Sequence, residues 1–164
     1  MKLLIVILSF FVASCGFTPL YGSLNNEVNM SKSLQSVSIA PLEGRLGQLL
    51  TNSLSESLYQ TAGANNVTFE LKLDVKEELS QYGFNQDRST TRESYTQTVN
   101  YRLIDIETQN EVTSGLAVAR TSYDVVQSDF SNFSAKQDAQ TRMVDEISQR
   151  ITIKLAAYFK NQTE

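Results

Sequence analysis

Residues 67–75 read Val-Thr-Phe-Glu-Leu-Lys-Leu-Asp-Val, with an apolar side chain at every second position. Because successive side chains of a β-strand point to opposite faces, this alternation predicts a strand that is buried on one face and wet on the other. The stretch therefore predicts a sheet that is covered on one side only. The predicted buried face consists of Val67, Phe69, Leu71, Leu73 and Val75.

Two further strands follow in the sequence. Residues 95–106 alternate apolar and polar side chains, and a third run extends over 112–126. The short polar stretch 107–110 between them predicts a turn, so the two strands are expected to pair antiparallel. Residues 81–93 are polar and are predicted to form a long loop, which is where binding residues tend to concentrate.

An amphipathic helix is predicted ahead of these strands. A short strand at 35–40 is expected to end at Pro41, which has no backbone donor for a sheet. From Glu43 onwards, leucines recur at three- and four-residue spacing, which predicts one apolar stripe along a helix. Gly63 is the expected C-terminal cap.

A second helix is predicted at the C-terminal end. One apolar residue recurs about every fourth position from Ala135 to Phe159. Ser134 with Gln137 fits a capping box, and Asp129 or Ser131 offers an earlier start.

The resulting order is strand, helix, three strands and a long helix. This order predicts an α+β fold with two helices packed on one face of a mixed four-stranded sheet. The first helix is then a crossover, which makes the first strand parallel to its neighbour or separate from it.

The composition excludes several function classes. The 164 residues include 14 basic and 18 acidic side chains, one cysteine and no histidine, for a formal net charge of −4. Nucleic acid is not expected as a partner, because binding phosphates requires a basic face. Without histidine, the usual general base and the commonest metal ligand are missing, and no phosphate-binding, calcium-binding or hydrolase motif is present. We expect no catalytic residue, metal or cofactor.

The adjacent acidic pairs 77–78 and 145–146 do not indicate a catalytic site. Neighbouring side chains point to opposite faces of a strand and diverge by about 100° on a helix, so neither pair converges on a substrate. Solvated surface is the expected role of both pairs.

The single cysteine, Cys15, directly follows an apolar leader. Lys2 begins that leader, residues 3–13 are almost entirely apolar, and Val12 and Ser14 stand three and one positions before Cys15. This pattern predicts a bacterial lipoprotein signal peptide with lipidation at Cys15. A membrane-spanning helix needs about 20 apolar residues, more than this run provides. An ordinary secretory signal followed by an unpaired thiol, or an N-terminal core strand, accounts for fewer of these features.

The predicted domain layout has four parts. Residues 1–14 form the signal peptide, 15–34 the lipidated N-terminus and tether, 35–160 a single α+β domain, and 161–164 a C-terminal tail. Phe17, Leu20 and Tyr21 interrupt the polar tether, and two roles are open for them: dipping into the membrane interface or docking on the folded domain.

The long predicted loop carries the candidate contact residues. Arg88 and Arg92 suit phosphate or carboxylate groups because guanidinium binds both of them bidentately. Tyr82 and Phe84 lie beside them in sequence, and aromatic residues combined with arginine are typical of interface anchors.

The chain resembles a known family, the LPS-assembly lipoproteins called LptE, particularly the alphaproteobacterial form. The likeness is carried by Cys-Gly-Phe-x-Pro-Leu-Tyr-Gly at 15–22, Ile-x-Pro at 39–41 and Leu-Gly-Gln-x-Leu-x-Asn-x-Leu at 46–54. It continues in the stretch from Tyr-Asp at 123–124 through Ser-Asp-Phe at 128–130 to Gln-Asp-Ala at 137–139. It implies a domain of two helices and four strands, lipidation of Cys15 and a place on the periplasmic side of the outer membrane. It also implies a partner, the LptD β-barrel, which such a lipoprotein plugs while the pair delivers lipopolysaccharide.

This resemblance implies a protein that is not an enzyme. Phe84, Arg88 and Arg92 are the positions expected to contact the barrel or lipopolysaccharide. A free periplasmic lipoprotein that binds lipid or another ligand is the main alternative. An enzyme acting on envelope polymer is a third hypothesis.

Overall fold

The computed structural model describes residues 31–59, 64–84 and 90–162. Residues 31–35 are helical and lead into the first strand. The elements that follow are β1 (Val37–Ile39), α1 (Gly44–Tyr59), β2 (Phe69–Phe84), β3 (Thr90–Asp105), β4 (Glu111–Asp124) and α2 (Asp129–Asn161).

The four strands form one mixed sheet in the order β1-β2-β3-β4. β1 pairs parallel with β2, so that Val37 lies beside Phe69, and α1 is the crossover between them. β2, β3 and β4 pair antiparallel. The predicted α+β fold with a mixed four-stranded sheet is confirmed.

The core lies between one face of the sheet and the two helices. Buried residues alternate along β3, as expected for a strand covered on one face. The apolar stripes of both helices close over that face, and the stripe predicted for α2 is confirmed. The largest fully buried apolar side chains are Val37, Leu50, Leu54, Leu58, Leu71, Val99, Leu103, Met143, Ile147, Ile151 and Leu155.

The predicted long loop over 81–93 is wrong. β2 continues to Phe84 and β3 begins at Thr90, and Tyr82 is the register partner of Arg92. The polar side chains of this stretch do not prevent pairing, because a strand is held by backbone hydrogen bonds and needs no apolar face where it is exposed.

Val67 was expected in the buried face, but it precedes β2 and is exposed. Gly63, the expected cap of α1, lies outside the described residues.

The C-terminal helix begins earlier than the predicted capping box. Ser128 is the N-cap, and its hydroxyl accepts a hydrogen bond from the Ser131 backbone N–H at 3.3 Å. The earlier start predicted at Asp129 is confirmed, whereas the capping box of Ser134 and Gln137 is wrong, because both residues lie inside the helix. With 33 residues, α2 is about 50 Å long at about 1.5 Å per residue.

The two ends of the sheet differ in the elements that they bring together. The hairpin end contains the end of β2, the start of β3, the end of β4 and the start of α2. The pocket end contains β1, the start of β2, the end of β3 and the end of α2. Within the described parts of the chain, no helix combines the length and the apolar character needed to cross a bilayer.

Candidate functional site at the hairpin end

Two of the four site residues predicted from the sequence, Phe84 and Arg92, lie within the described residues. Cys15 and Arg88 lie outside the described residues. Phe84 is the last residue of β2, and Arg92 is the third residue of β3. Both lie in strands of the hairpin end rather than in a loop.

Arg92 has a partner across the sheet. Its Nε lies 3.5 Å from Oδ1 of Asp124, its register partner on β4. The two side chains are 58 % and 78 % exposed. Exposed ion pairs of this kind contribute only about 0–1 kcal/mol. The guanidinium therefore remains available to another anion.

A polar and aromatic cluster lies beside this pair on the helix-covered face. The rings of Tyr95 and Tyr123 are stacked with centroids 6.2 Å apart. Lys136 of α2 places its Nζ 5.3 Å from the centroid of Tyr95. The Tyr123 hydroxyl donates to one oxygen of Glu93, and Gln81 Nε2 donates to the other at 3.1 Å. These contacts bind β2, β3, β4 and α2 to one another at the hairpin end.

The cluster also controls protonation. Burial, followed by the hydrogen bond to Glu93, raises the pKa of Tyr123. The hydrogen bond with Tyr95 raises the pKa of Lys136, which strengthens the preference of this side chain for its charged form. Partial burial raises the pKa of Glu77, and the charge of Lys136 opposes that increase. Lys136 is thus a fixed cation close to the exposed end of the sheet.

Gln97 is the unusual member of the covered face. It is 0 % exposed, and neither its amide nitrogen nor its amide oxygen has a hydrogen-bond partner in the described parts of the chain. Its register partners are Glu77 on β2 and Ala119 on β4. A buried amide without partners costs free energy, so Gln97 marks a weak point in the packing.

Exposed apolar side chains surround the hairpin end. Phe130 and Phe133, in the first turns of α2, are 79 % and 59 % exposed. Leu79, Tyr82 and Val126 are exposed near the ends of β2 and β4. We call these five residues the apolar rim. Large exposed aromatic side chains close to an arginine are typical of interfaces.

The start of α2 is fixed rather than loose. Asn132 accepts from the Val126 backbone N–H at 2.9 Å and donates to the Val126 carbonyl at 2.8 Å. The exposure of Phe130 and Phe133 is therefore a property of an ordered helix end. Neither residue was predicted as a contact, and Phe130 was named only for the family likeness. Two phenylalanines three positions apart in a polar first turn were the available signal.

The hairpin end has the features of a binding surface. It combines a cation, a rigid aromatic cluster and an apolar rim. No cluster of three or more histidine, cysteine or acidic side chains suited to a metal occurs in the described ranges.

Two solved structures with this fold are lipoproteins by their descriptions. A candidate lipoprotein from Caulobacter crescentus is 25 % identical with a TM-score of 0.69, and the match covers 81 % of this chain and 97 % of that one. Rare lipoprotein B from Shewanella oneidensis is 15 % identical with a TM-score of 0.57, covering 78 % and 97 %. The second likeness shows the fold alone.

Sequence comparison gives the family. The family model for LptE, described as lipopolysaccharide-assembly, matches residues 33–155, so the chain belongs to that family. The resemblance stated from the sequence is confirmed. An uncharacterized protein of Rickettsia prowazekii, RP188, is 23 % identical over 157 residues, which cover 96 % of both chains.

Proposed function

We propose that this protein is an outer-membrane lipoprotein that forms a plug-and-barrel complex with the LptD β-barrel and assists lipopolysaccharide assembly at the cell surface. The observation that carries the proposal is the family match over 33–155, which extends from just before β1 to within a few residues of the end of α2. The likeness to the Caulobacter lipoprotein supports a place in the cell envelope. The proposed role is binding and positioning, without catalysis.

The proposed anchor is Cys15. Cleavage after residue 14 leaves Cys15 as the first residue of the mature chain, with residues 15–34 as a tether and 35–160 as the domain. Each buried methylene of an acyl chain contributes about 0.8 kcal/mol, and two or more chains, palmitate among them, hold a protein firmly on a membrane. The outer membrane, on its periplasmic side, is the proposed location.

The hairpin end is the proposed contact surface for the barrel. Leu79 lies on the helix-covered face of the sheet but is 46 % exposed, so neither helix covers the end of β2. Together with Phe130 and Phe133, it offers apolar surface that a partner would bury. The aromatic and arginine content of the same end matches the composition of interface cores.

Lipopolysaccharide phosphates are the proposed second contact of this end. Arg92 is exposed and only weakly held by Asp124. A guanidinium in this state exchanges a carboxylate for a phosphate at little cost. Phe84 ends β2, and Arg88 lies between β2 and β3 in the sequence, so both belong to the same proposed contact.

Site-specific photocrosslinking in intact cells tests the proposal. A photoreactive residue replaces Phe84, Arg92 or Ser128 in the full lipidated chain, and Asn100, on the face away from the helices, is the matched control. The expected result is an adduct with the barrel from the hairpin end and none from Asn100. Recovery of the lipoprotein without the barrel, or with amphiphile alone, would count against the complex and favour a free ligand-binding lipoprotein.

A further inference from the structure

The opposite end of the domain has an open pocket of about 720 Å³. Four of its lining residues supply the apolar surface: Phe69, Val112, Tyr158 and Phe159. The rings of Phe69 and Phe159 lie 5.4 Å apart, and those of Tyr158 and Phe159 lie 5.3 Å apart. The apolar wall thus joins the start of β2 to the last turns of α2.

The opposite wall is polar and held by backbone pairing. The Asn65 backbone N–H donates to the Gln35 carbonyl at 2.8 Å, and the Thr68 N–H donates to the Ser36 carbonyl at 2.9 Å. These bonds join the segment before β2 to the residues before β1. The pocket is therefore preformed, so that an occupant does not have to order its walls.

The charges of the lining argue against a phosphorylated ligand. Lys32 and Asp105 are the charged residues among those that line the pocket, and their signs cancel. Asp105 already accepts hydrogen bonds from the backbone N–H and the hydroxyl of Thr108, at 2.8 and 3.0 Å. A phosphate group requires a concentration of cations or free amides that this wall does not supply. An uncharged occupant with apolar side chains and backbone amides matches it better.

We propose that residues 17–21 of the same chain, Phe-Thr-Pro-Leu-Tyr, occupy this pocket. The segment is uncharged and carries three large apolar side chains, between the leader and a polar stretch. Pro19 restricts its backbone, which lowers the entropy lost on docking. The segment matches both walls, because its three large side chains suit the apolar one and its lack of charge suits the polar one.

The position of the pocket in the chain supports this occupant. The described residues begin at Ser31, and the next residue, Lys32, is already part of the pocket wall. Tyr21 lies ten residues before Ser31, a distance that an extended chain spans up to about 35 Å. Because the segment is tethered beside the pocket, its effective concentration there is on the order of millimolar, so weak contacts are enough for docking.

Docking would fix the domain relative to the membrane. Cys15 lies only six residues before Tyr21, so a docked segment holds a lipid on Cys15 within about 20 Å of the pocket end. The hairpin end would then point away from the anchor. This consequence rests on the proposed function, whereas the docking itself does not.

Disulfide trapping in the full chain tests the proposal. One variant combines Tyr21→Cys with Asn65→Cys at the pocket wall, and its matched control combines Tyr21→Cys with Asn100→Cys on the face away from the helices. A chain with Asn65→Cys alone reports any crosslink from Cys15. We expect the first pair to oxidise at least ten times faster than the control pair. Equal rates overturn the proposal.

A fluorescence measurement provides an independent readout. The chain contains no tryptophan, so Tyr21→Trp introduces a single indole, with Asn26→Trp as the control in the same tether. We expect acrylamide to quench the Tyr21→Trp indole several-fold less, and Val112→Arg to remove that protection while the thermal melt confirms folding. If Val112→Arg does not fold, the difference in quenching between Tyr21→Trp and Asn26→Trp still tests whether the segment docks.

The two proposals fail separately. Equal quenching at both tether positions, or protection that survives Val112→Arg because the indole lies in a micelle, overturns docking. Barrel crosslinks from Arg92 would be unaffected by either result. If Tyr21→Cys and Asn65→Cys still form their disulfide but no barrel crosslink is found from Arg92, the barrel complex alone is refuted.

Discussion

The hydroxyl of Tyr123 on β4 donates a hydrogen bond to the carboxylate of Glu93, its register partner on β3. Tyr123 is nearly buried, and burial together with this bond raises the pKa of its phenol. Gln81 occupies the second Glu93 oxygen. The two hydrogen bonds therefore link β2, β3 and β4 at the hairpin end.

Tyr123→Phe should lower the free energy of unfolding by about 1 kcal/mol at neutral pH, because Glu93 loses a donor at a partly buried site. Urea denaturation measures the change, and Tyr82→Phe, at an exposed position, should leave stability unaltered. An equal loss from both variants would contradict a specific role for the Glu93 bond.

The same tyrosine predicts a pH dependence. Because its pKa is raised in the folded state, its stabilising contribution is complete below the ordinary phenol pKa of about 10 and is lost as the pH rises through the folded-state value. Above pH 10 the wild-type chain should therefore lose more stability than Tyr123→Phe. Parallel stability curves for the two proteins would contradict this assignment.

Gln97 provides a prediction of the opposite sign. Its buried amide lacks a hydrogen-bond partner in the described parts of the chain, and such a group costs about 1–3 kcal/mol. Gln97→Met, which keeps the volume, should stabilise the domain by about 1 kcal/mol, as measured by urea denaturation.

Gln140 is the matched control for this change. Its Oε1 accepts a hydrogen bond from Arg45 Nη1 at 2.9 Å, so Gln140→Met should destabilise the domain by about 1 kcal/mol. If Gln97→Met destabilises to the same extent, the Gln97 amide is hydrogen bonded in solution and the prediction is wrong.

The sequence predicts the covered parts of the fold better than its ends. Leu71 on β2 and Ile147 on α2 lie on apolar periodicities that burial enforces, and both are found in the core. Beyond the core, strands are held by backbone bonds that leave no side-chain period. For this reason the sequence pattern predicts a loop over 81–93, although Gln81 pairs with Glu93.

The candidate site depends on those same ends. Arg92 and Phe84 were identified from composition, but their place in strands and the pairing of Arg92 with Asp124 follow from register. Gln97 points toward the core, and the other inward residues of its strand are mostly apolar or aromatic. No local sequence pattern predicts that a buried amide lacks a hydrogen-bond partner. The sequence left the start of α2 open among several positions, because three serines, at positions 128, 131 and 134, compete as caps.

Gly47 packs closely against the residues that precede α1. A Cβ added there would lie 2.7 Å from Leu42 Cβ and 3.0 Å from the Leu42 carbonyl carbon. Gly47→Ala should therefore destabilise the domain by about 1–3 kcal/mol through overpacking, although alanine favours a helix by about 1 kcal/mol.

Asn52→Ala is the control for Gly47→Ala, because Asn52 is exposed on the same helix. It should be neutral or slightly stabilising in thermal denaturation. A Gly47→Ala protein that melts with or above the wild type would show that the contact between Gly47 and Leu42 is not restrictive.

Replacing Arg92 should reduce binding while leaving stability almost unchanged. Arg92→Ala removes a weak, exposed ion pair, so the unfolding free energy should change by less than about 1 kcal/mol. If Arg92 contacts lipopolysaccharide or the barrel, cells that depend on this variant should display several-fold less surface lipopolysaccharide and admit large hydrophobic antibiotics. Surface lipopolysaccharide staining and antibiotic sensitivity measure the effect.

Two controls distinguish this role from the ion pair itself. Asp124→Ala breaks the same pair but keeps the guanidinium, so it should leave surface lipopolysaccharide intact. Arg142→Ala removes an arginine of similar exposure, 56 % against 58 %, that is paired with Asp138 on the exposed side of α2 rather than on the sheet. Both variants lose the ion pair between β3 and β4. If Asp124→Ala causes the same defect as Arg92→Ala, the defect comes from the loss of this ion pair and not from the loss of the guanidinium.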